Sequence, residues 1–377
     1  MKILFILVST LFIHVYSQHR KNDKCKTPTD RDGLCIPVLD CHALTPLILA
    51  AKENKTAGEI ARKYQCGYEN VPLVCCDVHA TPPVEKPIVL NDFSSPDLPD
   101  RSVCGVNPPE TEKIWGGRPT LLDEFTWVAA LEYIKREDNT NVGIQCGGSL
   151  INDRWVVTAA HCILNKEVKI SKVRLGEWNI KTDPDCFEHD PNDVECADKV
   201  QIFDVEKEIS HEYYIRRDSS NDIGLLKLNR VVTYSNYIRP VCLPPPGLPL
   251  PELNSYMTVV GWGLTEKDIT SNIKLRVEVP LVSNRICRDA LPSKPISRNH
   301  YCAGGEHGKD ACRGDSGGPL MRTFQKSSDD QEQWFLEGIV GSGVGCARQG
   351  KPGIYIRVTQ YTKWIIDKLA EDRKKNP

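Results

Sequence analysis

The sequence predicts a predominantly antiparallel β domain, a sandwich or a barrel, carried behind a small module held together by disulfides. Three observations predict it: short β-rich apolar runs alternate with turns beyond residue 114, sixteen cysteines are spread along the chain, and a Pro-rich stretch separates the two parts. The 377 residues carry 48 basic and 50 acidic side chains, a formal net charge of -2, which leaves no electrostatic reason to expect nucleic acid as a partner.

The chain opens with one early cation, Lys2, then a short apolar run with small residues at Val15 and Ser17. This is the layout of a secretory signal peptide, here residues 1–17, cut after Ser17. The run is shorter than the ~20 apolar residues a spanning helix needs, and no second run follows, so no membrane span is expected. An even, dispersed set of cysteines agrees with export to an oxidising compartment.

Six cysteines, Cys25, Cys35, Cys41, Cys66, Cys75 and Cys76, crowd into residues 24–76. A segment this small buries little core, so crosslinks must restrict its unfolded state instead. Six thiols allow 15 connectivities, and spacing does not choose among them. Residues 77–113 then turn to Pro, Asp and Ser, a composition with little to bury, and read as a linker and activation segment carrying the single cysteine Cys104.

Beyond Ile114 the β-rich runs are 125–134, 149–157, 257–262 and 334–340. Only the end reads as a helix, where Tyr361, Trp364, Ile365 and Leu369 recur at three-to-four spacing before a charged tail.

The chemistry gathers around Ser316, flanked by Gly314 and Asp315 and followed by two glycines. A serine hydroxyl is a poor nucleophile until a base takes its proton, and a histidine does this near neutral pH when a carboxylate holds its ring in the right tautomer. Thr158-Ala-Ala-His161-Cys162 follows an apolar strand, and Asn221-Asp222 heads another apolar run. Each is weak alone, but together with Gly314-Asp-Ser-Gly-Gly-Pro319, in the order His, Asp, Ser, they are highly specific.

From Ile114 onward the chain resembles the chymotrypsin-like (trypsin-family) serine proteases. The resemblance implies a double six-stranded β-barrel, residues 114–370, with the site in the cleft between barrels. It implies that His161 is general base and acid, that Asp222 orients it, that Ser316 attacks the scissile carbonyl, and that the N–H groups of Gly314 and Ser316 form the oxyanion hole. Asp310 matches the floor of a pocket that selects Arg or Lys, with Gly343 and Gly353 leaving its walls open. Ala311 offers no hydroxyl for a lysine ammonium, so Arg is preferred, its fork meeting the carboxylate with two hydrogen bonds. Glu112-Lys113-Ile114-Trp115-Gly116-Gly117 matches a zymogen activation site: cleavage after Lys113 would free the Ile114 amine to pair with Asp315. A bond after Lys, against a pocket suited to Arg, points to a different upstream protease as the activator.

The amino-terminal module resembles a clip domain, found in arthropod proteases of extracellular cascades. This second resemblance implies bridges Cys25–Cys75, Cys35–Cys66 and Cys41–Cys76. In the protease part the family pattern implies Cys146–Cys162, Cys186–Cys196, Cys287–Cys302 and Cys312–Cys346, leaving Cys104 and Cys242 to tether the clip chain after activation. The implied setting is haemolymph, with a downstream zymogen or prophenoloxidase as protein substrate and a serpin as inhibitor; use as a venom protease leaves no mark in the sequence. Glu177, Asn179, Thr182 and Asp185 lie in a stretch resembling the family's calcium loop; the competing reading is a solvated acidic loop. No cofactor is expected for catalysis itself. Asn54-Lys-Thr56 is a glycosylation triplet. The chain has Gly341-Ser342 where the family carries a serine followed by an aromatic residue, removing a hydroxyl near Asp222 and an apolar shelf for substrate. A non-catalytic homologue that binds partners is the competing function; such homologues typically lose the serine, which this chain keeps.

Overall fold

The computed structural model describes residues 20–38, 41, 44, 47, 55–69, 71–77, 95–107, 118–190, 193–217, 219–264, 270–306, 314–325, 332–341 and 349–375. The chain divides into two compact units, Met1–Ile88 and Val89–Pro377.

In the first unit, strands β1 (Lys24–Lys26), β2 (Asp32–Pro37), β3 (Gln65–Glu69) and β4 (Val71–Asp77) form an antiparallel sheet in the order β1-β2-β4-β3. Helix α1 (Lys55–Lys63) precedes β3. The disulfides are Cys25–Cys75, Cys35–Cys66 and Cys41–Cys76, the pairing the clip resemblance implied. Their need is visible in the core, which among the described residues holds little beyond Leu44, Ala57, Leu73, Val74 and the buried cysteines.

The second unit holds two barrels. The first uses β6 (Val128–Lys135), β7 (Asn141–Leu150), β8 (Trp155–Thr158), β9 (Val168–Leu175), β12 (Gln201–Phe203), β13 (Val205–Ser210) and β14 (Gly224–Leu228), in the order β12-β9-β6-β7-β8-β14-β13. Its seven strands make a six-membered ring, because β12 and β13 are one segment interrupted at Asp204; one half pairs β9 and the other pairs β14. The hairpin β10 (Cys186–Asp190) and β11 (Asp193–Cys196) stands apart as a two-stranded sheet. The second barrel is the ring of β15 (Tyr256–Gly261), β18 (Pro319–Phe324), β19 (Gln333–Val340), β20 (Gly353–Arg357), β17 (His300–Ala303) and β16 (Leu275–Val282), closed by β15 on β16, with the short β5 (Arg118–Pro119) added to β16. Helix α4 (Thr362–Lys375) ends the described chain, and Ile365 and Leu369 of its apolar stripe are buried.

Three details differ from the sequence reading. The expected run 149–157 is the end of β7 and the start of β8 around a tight turn, because Asn152 Oδ1 accepts from both Arg154 N and Trp155 N. Two short helices interrupt the β pattern, α2 (Ala160–Ile163) and α3 (Asn284–Ala290), too brief for a periodic signal; Ser283 caps α3 by accepting from Ile286 N at 3.3 Å. Finally, residues 95–107 of the expected linker are packed into the second unit as part of it. Cys104 bonds Cys242, Gly105 N donates to Pro240 O, Trp334 N donates to Gly105 O, and Asp97 pairs with Arg373 at 2.8 Å. A composition poor in apolar side chains still docks when its backbone groups find partners.

Candidate active site

His161 stands on α2, immediately after β8, and its neighbour Cys162 is bonded to Cys146 of β7. The ring is 28% exposed while the Asp222 side chain is buried. Asp222 holds the histidine twice: Oδ1 accepts from His161 N at 2.8 Å, and Oδ2 lies 2.7 Å from Nδ1. A buried carboxylate against Nδ1 fixes the proton there and leaves Nε2 as the basic nitrogen. Burial and the nearby Asp222 charge together push the half-buried Tyr214 phenol up to about 12.

Ser316 comes to the same place through its backbone. Gly147 N donates to Ser316 O at 2.8 Å, and Cys162 Sγ lies 3.6 Å from that oxygen, next in sequence to His161. The loop around Ser316 needs its glycines. Gly317 has φ +78°, and a Cβ there would stand 2.6 Å from Gly147 O; Gly314 has φ +101°, and a Cβ there would stand 2.9 Å from Gly263 Cα.

The carboxylate of Asp315 accepts from Gly263 N at 2.8 Å, and a Cβ on Gly261 or Gly263 would overlap it. The pair of glycines in Gly261-Trp-Gly263 is the sequence signal for this pocket, and the sequence reading did not use it. It also missed the support behind Asp222: Tyr361 Oη donates to Asn221 Oδ1 at 2.9 Å.

Gly353 opens β20 opposite Ala303 and is buried. Asp310, Gly343, Lys113, Ile114, Asn54, Ser342 and the Cys312–Cys346 pair lie outside the described residues, as does the segment 1–17. Every described cysteine is bridged: beside those already given, Cys186 bonds Cys196 and Cys287 bonds Cys302.

In the acidic loop, Asp185 Oδ2 accepts from Trp178 N and Asn179 N at 2.8 and 2.9 Å, and Oδ1 accepts from the Thr182 hydroxyl at 2.6 Å. Glu177 Oε2 meets Arg174 Nε at 2.6 Å, but Oε1 is buried without a hydrogen-bond partner. Burial acts to raise the Glu177 carboxyl and outweighs Arg174. Of this set only Glu177 Oε1, a buried carboxylate oxygen without a partner, has the character a hard cation seeks; both Asp185 oxygens and the Thr182 hydroxyl are already bonded to each other or to backbone N–H groups.

A buried Asp holding a His beside a Ser on a glycine-bounded turn, set on two closed antiparallel barrels, defines a serine protease of the chymotrypsin class. The chain belongs to the trypsin family and carries a clip domain: the trypsin family profile matches residues 114–365, and the regulatory CLIP domain of proteinases matches 25–76. It is 39% identical to phenoloxidase-activating factor 1 of Holotrichia diomphalia, over 90% of this chain and 92% of that protein. It is 36% identical to the Spaetzle-processing enzyme of Drosophila melanogaster, over 90% of each. Among solved structures, the Drosophila Grass clip serine protease of the Toll pathway aligns with a TM-score of 0.60 at 30% identity, covering 93% of this chain and 98% of that one.

Proposed function

We propose that this chain is the secreted zymogen of a trypsin-like endopeptidase that cuts proteins after Arg, and less readily after Lys, in an extracellular insect cascade. The observation that carries the reading is the double hold of buried Asp222 on His161, at 2.7 and 2.8 Å. It fixes the ring for one task, removing a proton from a hydroxyl at Nε2. Ser316 supplies that hydroxyl. Its oxygen attacks the scissile carbonyl, the Gly314 and Ser316 N–H groups receive the negative charge that forms on the carbonyl oxygen, and His161 returns the proton to the leaving amine. Water then hydrolyses the acyl-enzyme by the same base. Asp310, between walls opened by Gly343 and Gly353, answers the guanidinium of the substrate.

Cleavage after Lys113 frees the Ile114 amine to pair with Asp315 and order the oxyanion hole. The names of the relatives suggest the setting: activation of phenoloxidase or processing of a Spaetzle-type ligand in haemolymph. An upstream protease makes the activating cut and a serpin ends the activity. Calcium in the Glu177–Asp185 loop is a structural ion, with no part in bond breaking, and Asn54 carries a glycan.

The test is amidase activity on paired Arg and Lys peptides before and after controlled cleavage at Lys113, with Ser316→Ala as the blank. Activity only after cleavage, with Arg favoured and none in the blank, is expected. Silence from cleaved, folded protein would sink the reading and favour a binding homologue, for which Gly341-Ser342 is the motivating departure.

A further inference from the structure

We propose that Trp178 is a positioning residue for activation, holding the root of the new N-terminus and the strand that carries the Asp315 pocket in one rigid frame. The inference rests on the zymogen reading above. Once the bond after Lys113 is cut, the new amine hangs on a short tether. Arg118 pairs with Arg276 in β5 and β16, and the four residues between the cut and Arg118 set an upper bound of about 14 Å on the reach of the amine. Where that tether is rooted decides whether the amine reaches Asp315.

Trp178 makes four hydrogen bonds, and they meet at that root. Its indole Nε1 donates to Thr120 O at 2.7 Å, two residues past Arg118. Its carbonyl accepts twice, from Lys274 N at 2.7 Å and from Trp262 Nε1 at 3.1 Å. Its own N–H is held by Asp185. Lys274 O in turn accepts from Thr120 N at 3.0 Å, so the tether root and the β16 edge close a ring of hydrogen bonds on one tryptophan. Trp262 precedes Gly263, whose N–H holds the Asp315 carboxylate and whose Cα abuts Gly314. One buried residue, through its indole N–H on one side and its backbone carbonyl on the other, thus joins the anchored end of the tether to the acceptor it must find.

Insertion of a tethered amine is an intramolecular association whose strength depends on effective concentration, and that falls steeply when either end is free to wander. Trp178 keeps both ends fixed. Loss of its indole N–H removes the bond on Thr120 O and leaves Thr120 held only through its own N–H on Lys274 O, and loss of the Trp262 N–H removes the link to the pocket side.

The readout is the alkaline limb of kcat/KM, which reports the free enzyme's protonation states. The paired ammonium must stay protonated, and pairing raises its pKa above the ~8 of a free α-amine, so activity falls as pH rises through the raised value. Weaker pairing moves the limb to lower pH. Protein cut after Lys113 is compared as wild type, Trp178→Phe, Trp262→Phe and the double variant, from pH 6 to 10.5. The expected result is a limb about one unit lower in each single variant, a tenfold loss of pairing, with KM at pH 7 unchanged. The double variant shifts no further than the larger single, because both bonds serve one frame. A lower melting temperature with an unmoved limb, or shifts that simply add, overturns the proposal. Should Trp178→Phe fail to fold, Trp262→Phe alone decides it by the same limb. A wild type that is active without the cut and lacks the limb overturns the zymogen reading itself, and is recognised before any variant is made.

Discussion

Tyr361, just ahead of helix α4, donates its hydroxyl to Asn221 Oδ1 at 2.9 Å, 140 residues away in sequence and next to Asp222. Asn221 has φ +55° and its amide donates to Tyr213 O at 2.8 Å, so a strained turn is clamped on both sides. Asn299 Nδ2 reaches the same phenol oxygen at 3.2 Å. Tyr361→Phe is expected to lower kcat on a peptide amide several-fold with KM unchanged, and to cost about 1 kcal/mol of stability. Steady-state kinetics beside a denaturant titration check it; an unchanged kcat would mean that the turn holds Asp222 unaided.

Gly317 has no room for a side chain. Its backbone is left-handed and a Cβ would stand only 2.6 Å from Gly147 O, so Gly317→Ala must displace Ser316. A misplacement of about 1 Å reduces catalysis on the order of a hundredfold. Amidase activity should fall by that much while the circular dichroism spectrum is retained.

The acidic loop gives a ligand prediction. Because Glu177 Oε1 is buried and unpartnered, calcium is expected to raise the thermal midpoint of the wild type, and a chelator to reverse the gain. Glu177→Gln removes the charge and should abolish the response. Identical midpoints with and without calcium would leave the protein's own cations, Arg174 and the buried Lys274, to answer Glu177.

Acid should loosen the C-terminal helix. Partial burial acts to raise the Glu212 carboxyl, but hydrogen bonds from Lys368, its own backbone N–H and Trp364 outweigh it and hold the group at about 2 instead of 4.5. A depressed carboxyl contributes stability above its unfolded pKa and loses it as pH falls through the folded one, here between 4.5 and about 2. With a side chain 47% exposed, the pair with Lys368 is worth ~0.5 kcal/mol. The wild type should exceed Glu212→Gln in melting temperature at pH 6, and the difference should vanish near pH 2.

How much of this was legible in the sequence follows from the range of the forces. The strands carrying Val156, Leu226 and Val259 announce themselves because a short apolar run bounded by turns is a local signal. His161, Asp222 and Ser316 announce themselves because their motifs are short and jointly rare. Trp178 appeared only as a letter in an acidic stretch, since its partners Thr120 and Trp262 lie 58 and 84 residues away. Tyr361 was legible as one member of an apolar stripe, but a period of three to four residues reports where the ring is buried and says nothing of its hydroxyl. The turn at Asn152 was hidden because a single side-chain oxygen, capping two N–H groups, ends a run that the apolar pattern would have continued.

Because one continuous segment, Gln201 to Ser210, serves as both first and last strand of its barrel, that sheet offers passing chains no terminal ladder to extend. The clip sheet is built otherwise, and ends at β1 and β3. On β1 the flanking Lys24 and Lys26 discourage a visitor; on β3 the 60% exposed Tyr68 invites one. The first barrel is therefore closed to strand addition, and the weak point of the clip sheet against fibrous growth is the outer edge of β3.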